Sequence, residues 1–196
     1  MGKLAKPDRS RQTRAVLVET ALKVFNDVGY WGTDSNALAR EAGYSPGTFY
    51  RHFVDKRAIF IAAYQAWSAA EEELLRARML RAKEKELDRA GTFVDFLIEH
   101  HGRWRTFRSS TRALAAGDGE LQRAVREHRR RHLAVLGDLL GRREIARGLV
   151  VLYTLDGLSD ALANGEPKHL GVSAREVTDR VRGMVGNGAA SALRRG

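Results

Sequence analysis

An all-α fold is predicted by three features of the sequence. Apolar residues recur at helical spacing through most of the chain. Capping residues and glycines punctuate those segments, and no stretch alternates polar with apolar as a half-buried strand would. The 196 residues suit one or two domains and can bury a proper core. No internal repeat or low-complexity linker is evident.

The chain opens with a basic arm, residues 1–8. Its Lys3 and Lys6, and Arg9, Arg11 and Arg14 just beyond, can reach phosphates or a minor groove, or simply be solvated. A first helix is predicted from Arg9 to Val28, with Leu17, Ala21, Val24, Phe25 and Val28 on one face, and Gly29 ends it. Tyr30 and Trp31 then pack over the unit that follows, with a phosphate-side contact as the other reading of Trp31. Residues 33–53 read as two short helices joined by a tight turn. Asp34 caps the first, Gly43 supplies the positive φ that closes it, Ser45 caps the second, and Pro46 takes its first position. In the second helix Phe49 and Phe53 share one face, while Thr48, Tyr50, Arg51 and His52 lie elsewhere. One side is apolar and the other can donate hydrogen bonds, the layout of a helix-turn-helix.

Asp55 caps the next helix, predicted as one long element from Lys56 to about Leu87, since the run after Trp67 holds strong helix formers and no Gly or Pro. A helix from about Thr92 follows, then a short one over 106–116 closed by the turn at Gly117–Asp118–Gly119. The stripe from Glu120 to Leu140 is interrupted by His128 and His132, with Arg129, Arg130 and Arg131 mostly turned outward. A helix from about Arg143 to Ala163 ends at Asn164–Gly165–Glu166–Pro167. Ser173 and Glu176 form a capping-box pattern that starts the last helix, over 173–193, whose Gly183, Gly186, Gly188 and Ala189 permit close approach.

The stretch AREAGYSPGTFYRHFVDK resembles the DNA-binding signature of the tetracycline-repressor-type (TetR) family of transcriptional regulators, and ALKVFNDVGYWGTD resembles the family's first helix and the entry to its second. The likeness covers roughly the first quarter of the chain residue by residue, with Asp34–Ser35 departing from the family pattern of Thr before an apolar residue. It implies a helix-turn-helix DNA-binding domain over 1–55 and a helical effector-binding and dimerisation domain over 56–196. It implies a homodimer on a palindromic double-stranded DNA operator, released by a small-molecule effector, with repression the usual sense. Thr33, Ser45, Pro46, Gly47, Thr48, Tyr50, Arg51 and His52 are the expected DNA-binding residues, and Lys56 is assigned to a phosphate.

Charge agrees without deciding. The net charge of +10 favours an anionic partner, but residues 1–60 hold ten Lys or Arg against six Asp or Glu, so the excess is spread along the chain. No cysteine is present, which excludes disulfides and thiolate chemistry. The N-terminal residues lack the apolar core of a signal peptide and no apolar run suits a bilayer, so a cytoplasmic protein without membrane contact is expected. Walker A, H-E-x-x-H and G-x-S-x-G patterns are absent, so neither enzymatic activity nor a cofactor is expected.

An effector cavity is expected between the long helix and the helices around 92–107 and 120–140, where Trp67, Phe93, Phe96, His100, Trp104, Phe107, His128, His132 and Tyr153 are candidate ligand-binding residues. Apolar stripes serve equally as plain core. A wall of aromatics with a few histidines suits a hydrophobic molecule bearing one polar or anionic end. His128 and His132 are also at metal-ligand spacing, with His100 as a third ligand, so a metal-responsive regulator is one alternative and an effector-free DNA-binding protein another. His101, a quarter turn from His100, is expected to be exposed.

Overall fold

A computed structural model describes residues 9–192, with side-chain surroundings described as far as residue 186. The expected basic arm and the packing of Gly188 and Ala189 lie outside the described residues. The described chain is helical throughout and contains no strand: α1 (Arg9–Val28), α2 (Ser35–Glu41), α3 (Pro46–His52), α4 (Lys56–Glu84), α5 (Arg89–Arg103), α6 (Arg105–Ala115), α7 (Gly119–Leu140), α8 (Ile145–Ala163), α9 (Glu166–His169) and α10 (Ala174–Ala192). None of these helices is long and apolar enough to cross a membrane.

Local chemistry sets several of the termini. The Asp34 carboxylate accepts the Ala37 N–H at 2.8 Å, the Ser45 hydroxyl accepts the Thr48 N–H at 3.2 Å, Asp55 accepts from Ala58 at 2.7 Å, and Ser173 accepts from Glu176 at 3.1 Å. Gly43 closes α2 at a φ of 77°, a conformation a β-carbon would penalise.

The helices form two compact units. The first runs up to Ala69 and includes Thr106–Leu121; the second comprises Ala70–Arg105 and the residues from Gln122 onward. In the first unit Leu17, Ala21 and Phe25 of α1, Leu38 and Ala39 of α2, and Phe49 of α3 are buried with Ile59, Phe60 and Ala63 of α4. Phe60 sits at the centre of an aromatic group, its ring 4.9 Å from Phe25, 5.3 Å from Tyr30 and 5.1 Å from Phe107 of α6. In the second unit α5 packs against α8 and α10. Phe93, Val94 and Leu97 meet Leu136 and Leu140 of α7, Val151, Leu152 and Leu155 of α8, and Val181 and Val185 of α10.

Two boundaries differ from the sequence expectation. α5 starts at Arg89 rather than Thr92, because Gly91 lies in its first turn, where a β-carbon would run into the Asp88 carboxylate. α5 runs through Gly102 and ends at Arg103, with Trp104 as its C-cap. The chain after Asn164 is a turn that continues into α9, a single helical turn entered through Gly165 in the left-handed region. The units also divide elsewhere than between residues 55 and 56, because α4 is one continuous helix whose first half belongs to one unit and whose second half to the other. The functional division at that point therefore stays a proposal.

Gly148 brings α8 close to α7: a β-carbon there would lie 3.2 Å from Leu133 Cδ2. Gly148→Leu is expected to overpack this contact and lower stability by about 1–3 kcal/mol, read as a reduced thermal midpoint by circular dichroism. A midpoint at or above the parent's contradicts the close approach.

Candidate nucleic-acid interface and effector cavity

α2 and α3 are joined by a turn that leaves one side of α3 in solvent. Phe49 is fully buried and Phe53 nearly so, whereas Ser45, Pro46, Gly47, Tyr50 and Arg51 are exposed, and Thr33, Thr48 and His52 are half-buried. Arg51 Nη2 donates to Thr48 Oγ1 at 3.1 Å, and Thr48 Oγ1 lies 3.1 Å from Ser45 Oγ. These bonds hold the guanidinium along the helix and keep further donors outward. The Arg14 guanidinium lies over the Phe53 ring, 4.8 Å from its centroid. Trp31 touches the Tyr30 ring edge-on at 5.5 Å but is 67% exposed, so packing explains little of it.

Lys56 has partners within the protein that the sequence does not announce. Its Nζ donates to the carbonyls of Tyr30 at 2.9 Å and Thr33 at 2.8 Å and lies 4.2 Å from the Tyr30 ring centroid. Burial pushes its pKa below the ordinary lysine value. A cation in the first turn of α4 opposes the helix dipole, and here backbone carbonyls offset it. Two of its three donors thus serve the protein, and the phosphate assignment remains a proposal for the third.

The second unit contains a buried polar cluster. The Glu71 carboxylate on α4 is wholly inaccessible and faces three imidazoles: Oε1 is 3.0 Å from His101 Nε2, and Oε2 is 2.8 Å from His128 Nε2 and 3.9 Å from His132 Nε2. His101 Nδ1 lies 3.4 Å from Asp156 Oδ1. His101 is therefore buried, contrary to expectation. The one-stripe assumption fails for α5, which buries both His100 and its neighbour. Glu71 escaped the sequence reading within a run of three glutamates. Its signal was the four-residue step Trp67, Glu71, Leu75, Met79, all buried in the structure. Opposing effects act on Glu71: burial raises its pKa, while its bonds to His101 and His128 lower it, and the net is well below the ordinary range. Burial pushes His132 down to about 3 and His100 to about 4, so both are neutral imidazoles at neutral pH.

The nine residues expected around one cavity are dispersed. Trp67 and Phe107 belong to the first unit, with ring centroids 5.9 Å apart. Phe93 is fully buried core, and half-buried Trp104 lies 6.5 Å from the His100 ring without lining a described cavity. Tyr153 is 56% exposed, with the Arg129 guanidinium 4.6 Å from its ring centroid, and so is a surface residue rather than a cavity wall. Phe96 and His100 border a groove of about 380 Å³ between α4 and α5. His128 and His132 border a cavity of about 320 Å³ whose walls come mainly from α4 and α7. Its apolar lining includes Leu75, Met79, Leu80 and Val135. Four cations, Arg76, Lys83, Arg89 and Arg131, stand there against two acids, Glu72 and Asp138.

Residues 17–63 match the family described as bacterial regulatory proteins, tetR family. The chain is 28% identical over 90 residues to the HTH-type transcriptional regulator UidR of Escherichia coli K12, a match covering 46% of this chain and 41% of that relative. It is similar to a protein of Pseudomonas aeruginosa PAO1 solved as a candidate transcriptional regulator (TM-score 0.74, 19% identity, 96% of each chain). The regulator FadR of Bacillus subtilis, solved with stearoyl-CoA, aligns at a TM-score of 0.65 and 16% identity over 87% of this chain and 97% of its own. The multidrug binding protein EbrR, solved with ethidium, aligns at 0.68 and 19% over 92% and 100%. At these identities the structural likenesses show the fold.

Lys56→Met keeps the length of the side chain but removes both carbonyl contacts. It is expected to destabilise the first unit by about 1–3 kcal/mol, with helix content unchanged below the transition. Unaltered urea unfolding in this variant contradicts the clamp.

Proposed function

We propose that the chain, whose residues 17–63 match the tetR family of bacterial regulatory proteins, is a ligand-responsive DNA-binding transcriptional regulator, acting in the cytoplasm as a repressor that a small amphipathic molecule releases from a palindromic operator. The observation that carries this reading is α3 itself. Its aromatic face is buried while Thr48, Tyr50 and Arg51 remain available to base edges and phosphates. No enzymatic role is proposed.

One helix-turn-helix makes few contacts, so a homodimer is proposed, its two heads reading half-sites in successive major grooves. An exposed apolar stripe on α8, formed by Ile145, Leu149, Val150 and Tyr153, supports an isologous interface there. The stripe is continuous at helical spacing, and its burial against a second copy would remove it from water.

The cavity between α4 and α7 supports the effector class. An apolar floor with four cations against two acids suits a molecule with a hydrophobic body and an anionic end. Stearoyl-CoA on the Bacillus FadR has that character, whereas the ethidium on EbrR is a cation, and the cationic surplus here favours the anionic kind. For release, the ligand must bind the DNA-incompetent conformation more tightly than the competent one.

Two outcomes follow. Arg51→Ala is expected to reduce discrimination at one operator position, worth about 1–3 kcal/mol, more than it weakens binding to unrelated duplex. Competition binding with single-base operator variants measures this, and a uniform loss across sequences contradicts direct readout by Arg51. Ala134→Trp, at an exposed cavity-lining position, is expected to abolish release of operator by long-chain fatty acids and their CoA thioesters. Fluorescence anisotropy should show operator affinity within about twofold of the parent, since the change lies on the cavity rim. Full release by the same ligands in this variant contradicts the cavity assignment.

A further inference from the structure

We propose that Glu71, His128 and His132 form a binding site for one divalent transition-metal ion of the zinc, cobalt or nickel type, tying α4 to α7, with His101 as the positioning residue that orients the carboxylate. This goes beyond the regulatory reading and does not rest on it, since no response to the metal is assigned.

The sequence offered two histidines at ligand spacing with His100 as the candidate third donor; the fold instead brings Glu71 from α4 to that place. One donor atom from each of Glu71, His128 and His132 lies within 4.8 Å of the others, and all three residues are buried. In a tetrahedral site with bonds of about 2.0–2.1 Å, donor atoms stand about 3.3–3.4 Å apart. The separations of Glu71 Oε2 from His128 Nε2, 2.8 Å, and from His132 Nε2, 3.9 Å, bracket that value. Small rotations of side chains whose rings already lie 4.5 Å apart therefore suffice.

The donor chemistry selects the class of ion. Two imidazoles and one carboxylate suit zinc, cobalt, nickel or ferrous iron, whereas calcium and magnesium need more oxygens. A wholly buried carboxylate calls for a compensating charge, and a divalent cation supplies one.

The surroundings fit as well. His101 Nε2 approaches the other carboxylate oxygen of Glu71 at 3.0 Å, and its Nδ1 lies 3.4 Å from Asp156 Oδ1, so the acidic ligand is oriented by an imidazole that is itself held. Such outer contacts fix the direction of a metal ligand. His128 and His132 both border the 320 Å³ cavity, which gives an ion a path in and leaves room for a water or ligand at the remaining position.

The test uses the full chain without a histidine tag, stripped with a chelator and titrated with Co(II) and Zn(II). One equivalent per chain is expected by elemental analysis after desalting, with a ligand-field spectrum for Co(II) and a raised thermal midpoint. The double variant His128→Ala/His132→Ala is expected to lose both signals. Should that variant lack native helix content by circular dichroism, Glu71→Gln, nearly the same in shape, is expected to lose them instead. His101→Ala is expected to weaken affinity about 10–100-fold while keeping the spectrum. No uptake by the parent chain, or uptake undiminished in the folded ligand variants, overturns the site.

Discussion

A carboxylate buried to zero exposure constrains the second unit more tightly than any apolar contact in it. Glu71 brings a full negative charge into a region where unpaired charge costs several kcal/mol, so its partners must arrive in correct geometry. They come from α5 and α7, which fixes the rotation of three helices about their axes. Leu75 and Met79, one and two turns along α4, then face Phe93, Leu97 and Leu136 in the apolar core. The cavity bordered by His128 and His132 lies beside this cluster, so an occupant there would touch the residues that set helix register. Coupling ligand to register in this way gives an effector something discrete to change.

The first unit is arranged on different terms. Capping side chains start α2, α3 and α4, and α1, α4 and α6 share an aromatic core around Phe60. Seven-residue helices are too short to persist alone in water, so α2 and α3 rely on that core. Lys56 ties the chain between α1 and α2 to the first turn of α4, and Arg57 bonds Asp118 at 2.8 Å and Glu120 at 3.0 Å. Asp118 meanwhile accepts the Leu121 N–H at the start of α7. Its carboxyl is held down to about 2, chiefly by the guanidinium. The Gly117–Asp118–Gly119 turn is thus an anchored helix entry.

Helix termini were legible because their causes are local. Asp34, Ser45, Asp55 and Ser173 each cap the helix the sequence assigns them, and Gly43 has the positive φ its place demands. The division of α3 into an aromatic inner face and a polar outer one was legible for the same reason, since Phe49 and Phe53 are one turn apart. Tertiary placement was less so. His101 looked exposed because α5 was read as having a single buried stripe, whereas helices cover it from more than one side. Tyr153 looked like a cavity wall because an apolar helix exposes no sign of which face stays in water. Lys56 was given to a phosphate by resemblance, and nothing within a few residues of it announces the carbonyls of Tyr30 and Thr33 that it reaches. Glu71 was hidden among like neighbours and is marked only by its step from Trp67 and Leu75.

The central claim, that α3 reads a specific duplex from a symmetric pair of heads, is tested most directly by selecting bound sequences from a random double-stranded library at physiological salt. Enrichment of an inverted repeat is expected, with half-sites centred about one helical turn apart, as two major-groove helices related by a dyad require. Recovery of unenriched sequence, with retention set by salt alone, would contradict it and reduce the head to a non-specific polyanion binder.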